Sequence, residues 1–453
     1  MRMSKSNKTS GQWSVVSGQS VRFKAILLFI SSLLTPHSSL LTEVRADDLH
    51  YNNILVGERA AGMGGAYTAV SDDPSGLYYN PAGIVFAPGR SFSASVNAFQ
   101  YSQKEYKDVL GGNGWERRSS NLQPNYFGII QPLGEGKVGF SYAVPDSRLE
   151  DQDQTFYNIP GIDPSTGLPL TITRYVINMN DTDYTYNFGP SYAMKINDNL
   201  SVGTTLYVHY RDRELISNQL VSVNDGRYEW NNVYGSLTEW GIKPIVGMMW
   251  TPADKVSLGL TLSKNYIVDT DRRLQTTYRG LDYGSNEPAY NVWETDDNRE
   301  FPLTATIGAA YFPSESLLLS ADVSYYSNAD HTITYKNTVT GATSKESVSQ
   351  EETLNVAVGA EYYPTERIAF RGGLFSNMAN TPELSSGKAE QREHIDMYGA
   401  SLSITRFTRA SSLTLGGSYS MGSGEAQLFS GSTSIQDVDM RNFTAFISAA
   451  FSY

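Results

Sequence analysis

The sequence predicts an all-β fold, a transmembrane antiparallel β-barrel of about 14 strands with a short N-terminal segment in its lumen. Three observations predict it. The chain ends in a long strand with one oily face, similar segments recur from Arg90 onward, and the gaps between them alternate short and long.

The terminal stretch 442–453 reads NFTAFISAAFSY. Phe443, Ala445, Ile447, Ala449, Phe451 and Tyr453 share one parity, and Thr444, Phe446, Ser448, Ala450 and Ser452 the other. Period two over that length is a strand with a single apolar face. Free in water it would invite aggregation, whereas in a membrane barrel it is the closing strand with its aromatic end in an interfacial girdle.

At the other end, Arg22 and Lys24 precede the apolar run AILLFISSLL (25–34), and Val44-Arg45-Ala46 offers a cleavage position. This is the pattern of a signal peptide over 1–46, too short in its apolar run to span a bilayer as a helix. The absence of cysteine excludes a disulfide framework. Thirty tyrosines, 39 glycines and 12% aromatic against 18% charged residues suit girdled β-structure with tight turns. A net charge of −12 argues against a nucleic-acid partner.

Between these ends the candidate strands are 92–101, 124–132, 137–145, 183–194, 199–211, 235–250, 256–266, 303–313, 316–327, 353–364, 367–375, 394–404, 411–421 and 441–453. The short gaps hold turn residues, as in Leu133-Gly134-Glu135-Gly136, Asn197-Asp198-Asn199 and Pro364-Thr365-Glu366. The long gaps, 102–123, 146–182, 212–234, 267–302, 328–352, 376–393 and 422–440, are expected to be extracellular loops. Parity assigns Val256, Leu258, Leu260 and Leu262 to lipid, and Arg211, Asp322, Glu361 and Arg371 to the lumen. An arginine facing lipid at mid-depth would cost about 2–4 kcal/mol. Phe99, Tyr101, Tyr207, Met249, Phe312, Tyr326, Tyr363, Phe375 and Phe446 also take lumen parity, either filling space or lining an apolar path.

Residues 47–90 precede the barrel (91–453) and read DDLHYNNILVGERAAGMGGAYTAVSDDPSGLYYNPAGIVFAPGR. Gly57, Gly62, Gly64 and Gly65 permit tight turns, and Asp73-Pro74 and Asn80-Pro81 favour them. Such a piece is either a plug in the lumen or a periplasmic tail, and its apolar content favours the plug.

The run GERAAGMGGAYTAVSDDPSGLYYNPAGI resembles the N-terminal hatch of the long-chain fatty-acid transporter family, the FadL/TodX-type outer-membrane transport proteins. The likeness is carried by GMGGAYTA with Gly62, Gly64 and Gly65, by Asp72-Asp73, and by Asn80-Pro81-Ala82. It implies a hatch over 47–90 with those residues in gating. It also implies passive uptake of a hydrophobic compound, a long-chain fatty acid or an aromatic hydrocarbon, with lateral release into outer-membrane lipid. The C-terminal Phe451 and Tyr453 are similar to the signal read by the barrel assembly machinery. In the family the wall opens where the third strand is kinked. Here that strand is 137–145, where Gly139 and Pro145 are weak ladder residues, and Pro145 either kinks the strand or ends it. The resemblance assigns no substrate-contacting residue.

Other chemistry is sparse. Five histidines form no Ser–His–acid set by spacing, and no nucleotide, metal or haem motif is present, so neither an enzyme nor a cofactor is expected. The acidic runs Asp146…Glu150-Asp151…Asp153 and Asp269…Asp271 read as solvated loop charge or as calcium ligands. The rival functions are a structural partner in a secretion system and a general porin.

Overall fold

A computed structural model describes residues 49–452, apart from 111, 164–165, 282–286 and 429–432. The signal segment, its cleavage position and Tyr453 lie outside the described residues. Residues 49–90 carry two short helices, α1 (Glu58–Gly62) and α2 (Gly76–Tyr79), and a 3-10 turn (Pro81–Phe86).

The strands follow as β1 (Ser91–Leu110), β2 (Asn113–Leu133), β3 (Gly136–Ile162), β4 (Pro169–Asn197), β5 (Leu200–Val223) and β6 (Tyr228–Ala253). Next come β7 (Val256–Ser263), β8 (Tyr266–Arg279), β9 (Ala289–Thr295), β10 (Thr304–Ser314), β11 (Leu317–Tyr326) and β12 (Ala329–Asn337). The last are β13 (Thr343–Gln350), β14 (Thr353–Thr365), β15 (Ile368–Asn377), β16 (His394–Phe407), β17 (Ser411–Ala426) and β18 (Gln436–Ser452).

A closed ring of 14 antiparallel strands runs β1 to β7, then β10, β11 and β14 to β18. It closes between β18 and β1, with Phe451 opposite Phe92. Closure leaves no unpaired edge, which lipid would penalise by several kcal/mol per group. Each ring strand matches one of the sequence-predicted segments. β8, β9, β12 and β13 extend the wall beyond the ring.

The long gaps differ from expectation, because most of 102–123, 146–182 and 212–234 is strand. β3 has 27 residues and β4 has 29, far more than the roughly 9–11 that cross a bilayer. The physical reason is an inverted alternation. Past the lipid belt the outer face meets water and turns polar, and the inner face packs against its neighbours and turns apolar. Tyr106, Trp115, Phe156, Ile172, Tyr175 and Val438, from β1 to β4 and β18, belong to one buried core above the lumen.

Beneath that core the inner wall carries a belt of buried ion pairs. Arg117 Nε bonds Glu150 at 2.6 Å, Arg213 Nε bonds Asp181 at 3.0 Å, and Arg211 Nη2 bonds Asp183 at 2.6 Å. Glu150 is thus a buried wall residue and not loop charge. Phe99 and Tyr101 are also corrected. A bulge between Asn97 and Phe99 shifts the register of β1 against β18, so both lie on the outer face, where Phe99 is exposed and stacks near Phe443 and Tyr101.

Candidate functional site

Residues 49–87 run through the barrel interior, and glycines on the inner wall make room for them. A Cβ at Gly203 on β5 would lie 2.5 Å from the Pro81 carbonyl carbon, and one at Gly359 on β14 would lie 2.6 Å from the Met63 carbonyl oxygen. Side chains at Gly247, Gly259 and Gly373 would overlap Asn80, Thr68 and Met63. Gly139 belongs to this socket, since a Cβ there would overlap Leu77. Its inward face is therefore a packing position, with its backbone paired to both neighbours. The sequence reading took Gly139 as a weak ladder residue and did not foresee the socket these wall glycines form. The signal that could have found them is glycine recurring at lumen parity in successive strands.

Within the segment, Gly64 and Gly65 adopt φ of +67° and +86°, which only glycine takes without strain. Gly62 packs against Ser403, and its carbonyl accepts a bond from Ser401 Oγ at 3.1 Å. Asn80 is fully buried and acts at both ends of its amide. Nδ2 donates to the Thr68 and Met248 carbonyls at 2.7 and 3.1 Å, while Oδ1 accepts from the Ala82 amide at 3.1 Å, capping the 3-10 turn. Pro81 takes the first position of that turn, where its missing N–H costs nothing. The Ala82 carbonyl accepts from Ser201 Oγ at 2.9 Å. The backbone amides of Tyr67 and Thr68 donate to Asp322 at 2.9 and 2.8 Å.

Charge fixes the opposite side of the segment. Arg59 on α1 pairs with Asp72 and, through Nη2 at 2.6 Å, with fully buried Glu361 of β14. Arg371 of β15 reaches the same carboxylate through Nε at 2.7 Å. Asp73 stands apart from these pairs and accepts the Ser75 amide at 2.7 Å. Burial, then Asp73 nearby, pushes the Glu58 carboxyl up to about 8, against the partial relief of Arg371 and Arg59. Asp73 is raised by burial as well. Asp72 and Asp73, adjacent in sequence, therefore sit in different electrostatic settings. Arg59 and Glu361 were not foreseen as partners, since nothing in sequence joins positions so far apart.

Above the segment lies a cavity of about 240 Å³, lined on one side by Tyr78, Tyr79 and Thr68 and on others by Tyr326, Phe375 and Lys243. Its volume sits near the small end of ligand sites, roughly 300–1,000 Å³. Lys243 Nζ lies 5.2 Å from the centre of the Tyr78 ring, and among the described residues no carboxylate pairs with it.

The cavity also reaches Pro145 and Asp146 on β3. There the strand continues through Pro145 to Ile162, but its ladders falter. Pairing with β4 skips from Ala143 to Asp146, and pairing with β2 lapses between Tyr126–Ala143 and Ser119–Glu150. Side chains span this lapse in place of the ladder. Asn121 Nδ2 donates to Ser147 Oγ at 3.0 Å, and Ser147 Oγ to Gln100 at 3.4 Å.

No protein-family profile and no curated protein matches the chain. Solved structures do. The Ralstonia pickettii toluene transporter TbuX matches with a TM-score of 0.62 at 15% identity, covering 88% of this chain and 99% of that one. The P. putida toluene transporter TodX matches with a TM-score of 0.62 at 13% identity, covering 88% and 98%. A Pseudomonas aeruginosa FadL homologue matches with a TM-score of 0.58 at 15% identity, covering 89% and 99%. These likenesses establish architecture, and the chain has the fold of the FadL/TodX-type outer-membrane channels that its glycine-rich N-terminal motif resembles.

Proposed function

We propose that this chain is an outer-membrane channel for the passive uptake of hydrophobic compounds, with residues 47–90 as the hatch and the lapse at Pro145 as a lateral exit. The observation that carries the reading is the cavity that touches both the segment's Tyr78–Tyr79 and the Pro145–Asp146 lapse. A ligand held there is one wall thickness from lipid, so it can leave sideways without crossing the periplasmic half of the lumen. Apolar groups shed water on entering, at about 0.8 kcal/mol per buried CH₂. The hatch supports release by shifting near Asn80-Pro81-Ala82, where it grips β5 and β6 through a few hydrogen bonds.

Lys243 favours a long-chain acid over a neutral aromatic hydrocarbon as cargo. An unpaired ammonium beside a tyrosine ring suits a carboxylate head, which then repays its own desolvation. TbuX and TodX are toluene transporters, so both classes belong in one assay. Bacteria lacking their own hydrophobic-compound channels would express wild type or Lys243→Gln, and uptake of radiolabelled palmitate and toluene would be measured. Palmitate uptake by wild type and its selective loss in the variant are expected. Wild-type uptake of neither compound would sink the proposal, and a protein co-purifying at equal stoichiometry would favour a secretion partner instead.

A further inference from the structure

We infer that the cavity is loaded sideways, through the wall between β8 and residues 296–303, and not down the barrel axis. The inference rests on the reading of the chain as a channel for hydrophobic compounds.

The axis is obstructed twice. An oily molecule descending from outside would have to part the packed core of Trp115, Phe156, Tyr175 and their neighbours. It would then meet the belt of buried ion pairs, where its apolar body would have to push apart opposite charges that are held together away from water.

The wall offers a weaker place. The β7–β10 ladder ends at Ser263 opposite Thr304, and the β8–β9 ladder begins only at Arg272 opposite Thr295. Between them, the single described backbone link from β8 to residues 296–303 is the bridge of Tyr266 to Glu300. Side chains hold that strap down. Arg299 donates through Nε and Nη2 to Glu239 of β6, both at 2.9 Å, and Lys264 pairs with Glu300 at 3.2 Å. The Thr334 amide donates to Asp297 at 2.6 Å.

The inside of this weak place is the cavity, which Asn265, Phe301 and Pro302 line. The outside is apolar, with Tyr266, Val268 and Leu303 exposed. Exposed Trp240, packed on Tyr210 and paired with Asp269 of β8, adds an aromatic surface beside it. A hydrophobic compound gathered at the lipid headgroups therefore faces an oily approach, a strap fixed mostly by side chains, and the cavity directly behind it. Opening the strap breaks two ion pairs, one bridge and the Thr334–Asp297 hydrogen bond, and leaves the ring ladders intact.

The chain has no cysteine, so paired cysteines can lock each opening separately. Tyr266→Cys with Glu300→Cys, joined by a short reducible linker, closes the strap. Asn121→Cys with Ser147→Cys, oxidised or joined likewise, closes the β3 lapse. Purified barrels in lipid nanodiscs would be loaded with radiolabelled palmitate, and cells carrying the β3 lock alone would be scored for uptake. Barrels with only the β3 lock should load at close to the unlocked rate. Adding the strap lock should cut loading to below about a tenth of that rate, with recovery on reduction. Undiminished loading of the doubly locked barrel would overturn lateral loading, and so would loss of loading from the β3 lock alone. Cell uptake separates the two readings. If the β3 lock leaves uptake intact the exit is wrong, whatever the strap does.

Discussion

Asn80 offers the most direct measure of how firmly residues 49–87 are seated in the barrel. Replacing it with alanine removes two donated bonds, to Thr68 and Met248, and the cap on Ala82. Buried hydrogen bonds contribute about 0.5–1.5 kcal/mol each, so the seat should weaken by about 3 kcal/mol. At 1.4 kcal/mol per tenfold, the unseated population rises by about a hundredfold. Asn80→Asp keeps the acceptor that caps Ala82 but sets a carboxylate against two carbonyl oxygens. It should therefore behave like alanine and unlike wild type. Amide hydrogen exchange across 76–86 in the assembled barrel reads the population directly, and single-channel conductance reports opening. Wild-type protection in Asn80→Asp would refute the reasoning, because the cap alone would then hold the turn.

Three further outcomes follow from the same contacts. Gly373→Leu should leave the barrel assembled but eject α1 from its place, since the new side chain overlaps Met63; protease access to 58–66 and higher conductance would show it. Because Glu58 binds its proton in the native seat up to about 8 while the unfolded chain releases it near 4.5, the seat should weaken as pH rises between those values and change little above them. Exchange protection of 57–65 measured from pH 5 to 9 tests this, and Glu58→Gln should flatten most of the slope, Asp73 supplying the remainder. Arg211→Ala removes the bidentate partner of buried Asp183, at a cost of about 3–5 kcal/mol; reduced heat resistance of the folded band on electrophoresis is expected.

The sequence alone determined the barrel, because lipid imposes period two with a strict choice of face. Leu258 and Leu260 must point outward and Arg211 and Glu361 inward, and that alternation is visible without any knowledge of neighbours. It also marked Asn80-Pro81-Ala82 and the Gly64-Gly65 turn, whose conformations are dictated locally by capping and by positive φ. Beyond the bilayer the same rule misled. The stretch 146–182 looked like loop because its apolar residues had changed faces, and only packing against β1, β16 and β18 explains that inversion.

Other features belonged to tertiary structure entirely. A bulge of one residue moved Phe99 from the lumen parity to the outer face, and such a shift depends on the register of β1 against β18. The pairing of Arg59 with Glu361, the glycine socket, and Lys243 facing Tyr78 all join residues far apart in the chain. Local sequence fixes which way a side chain points from its own strand. Ring closure decides which residue, across the lumen, it meets.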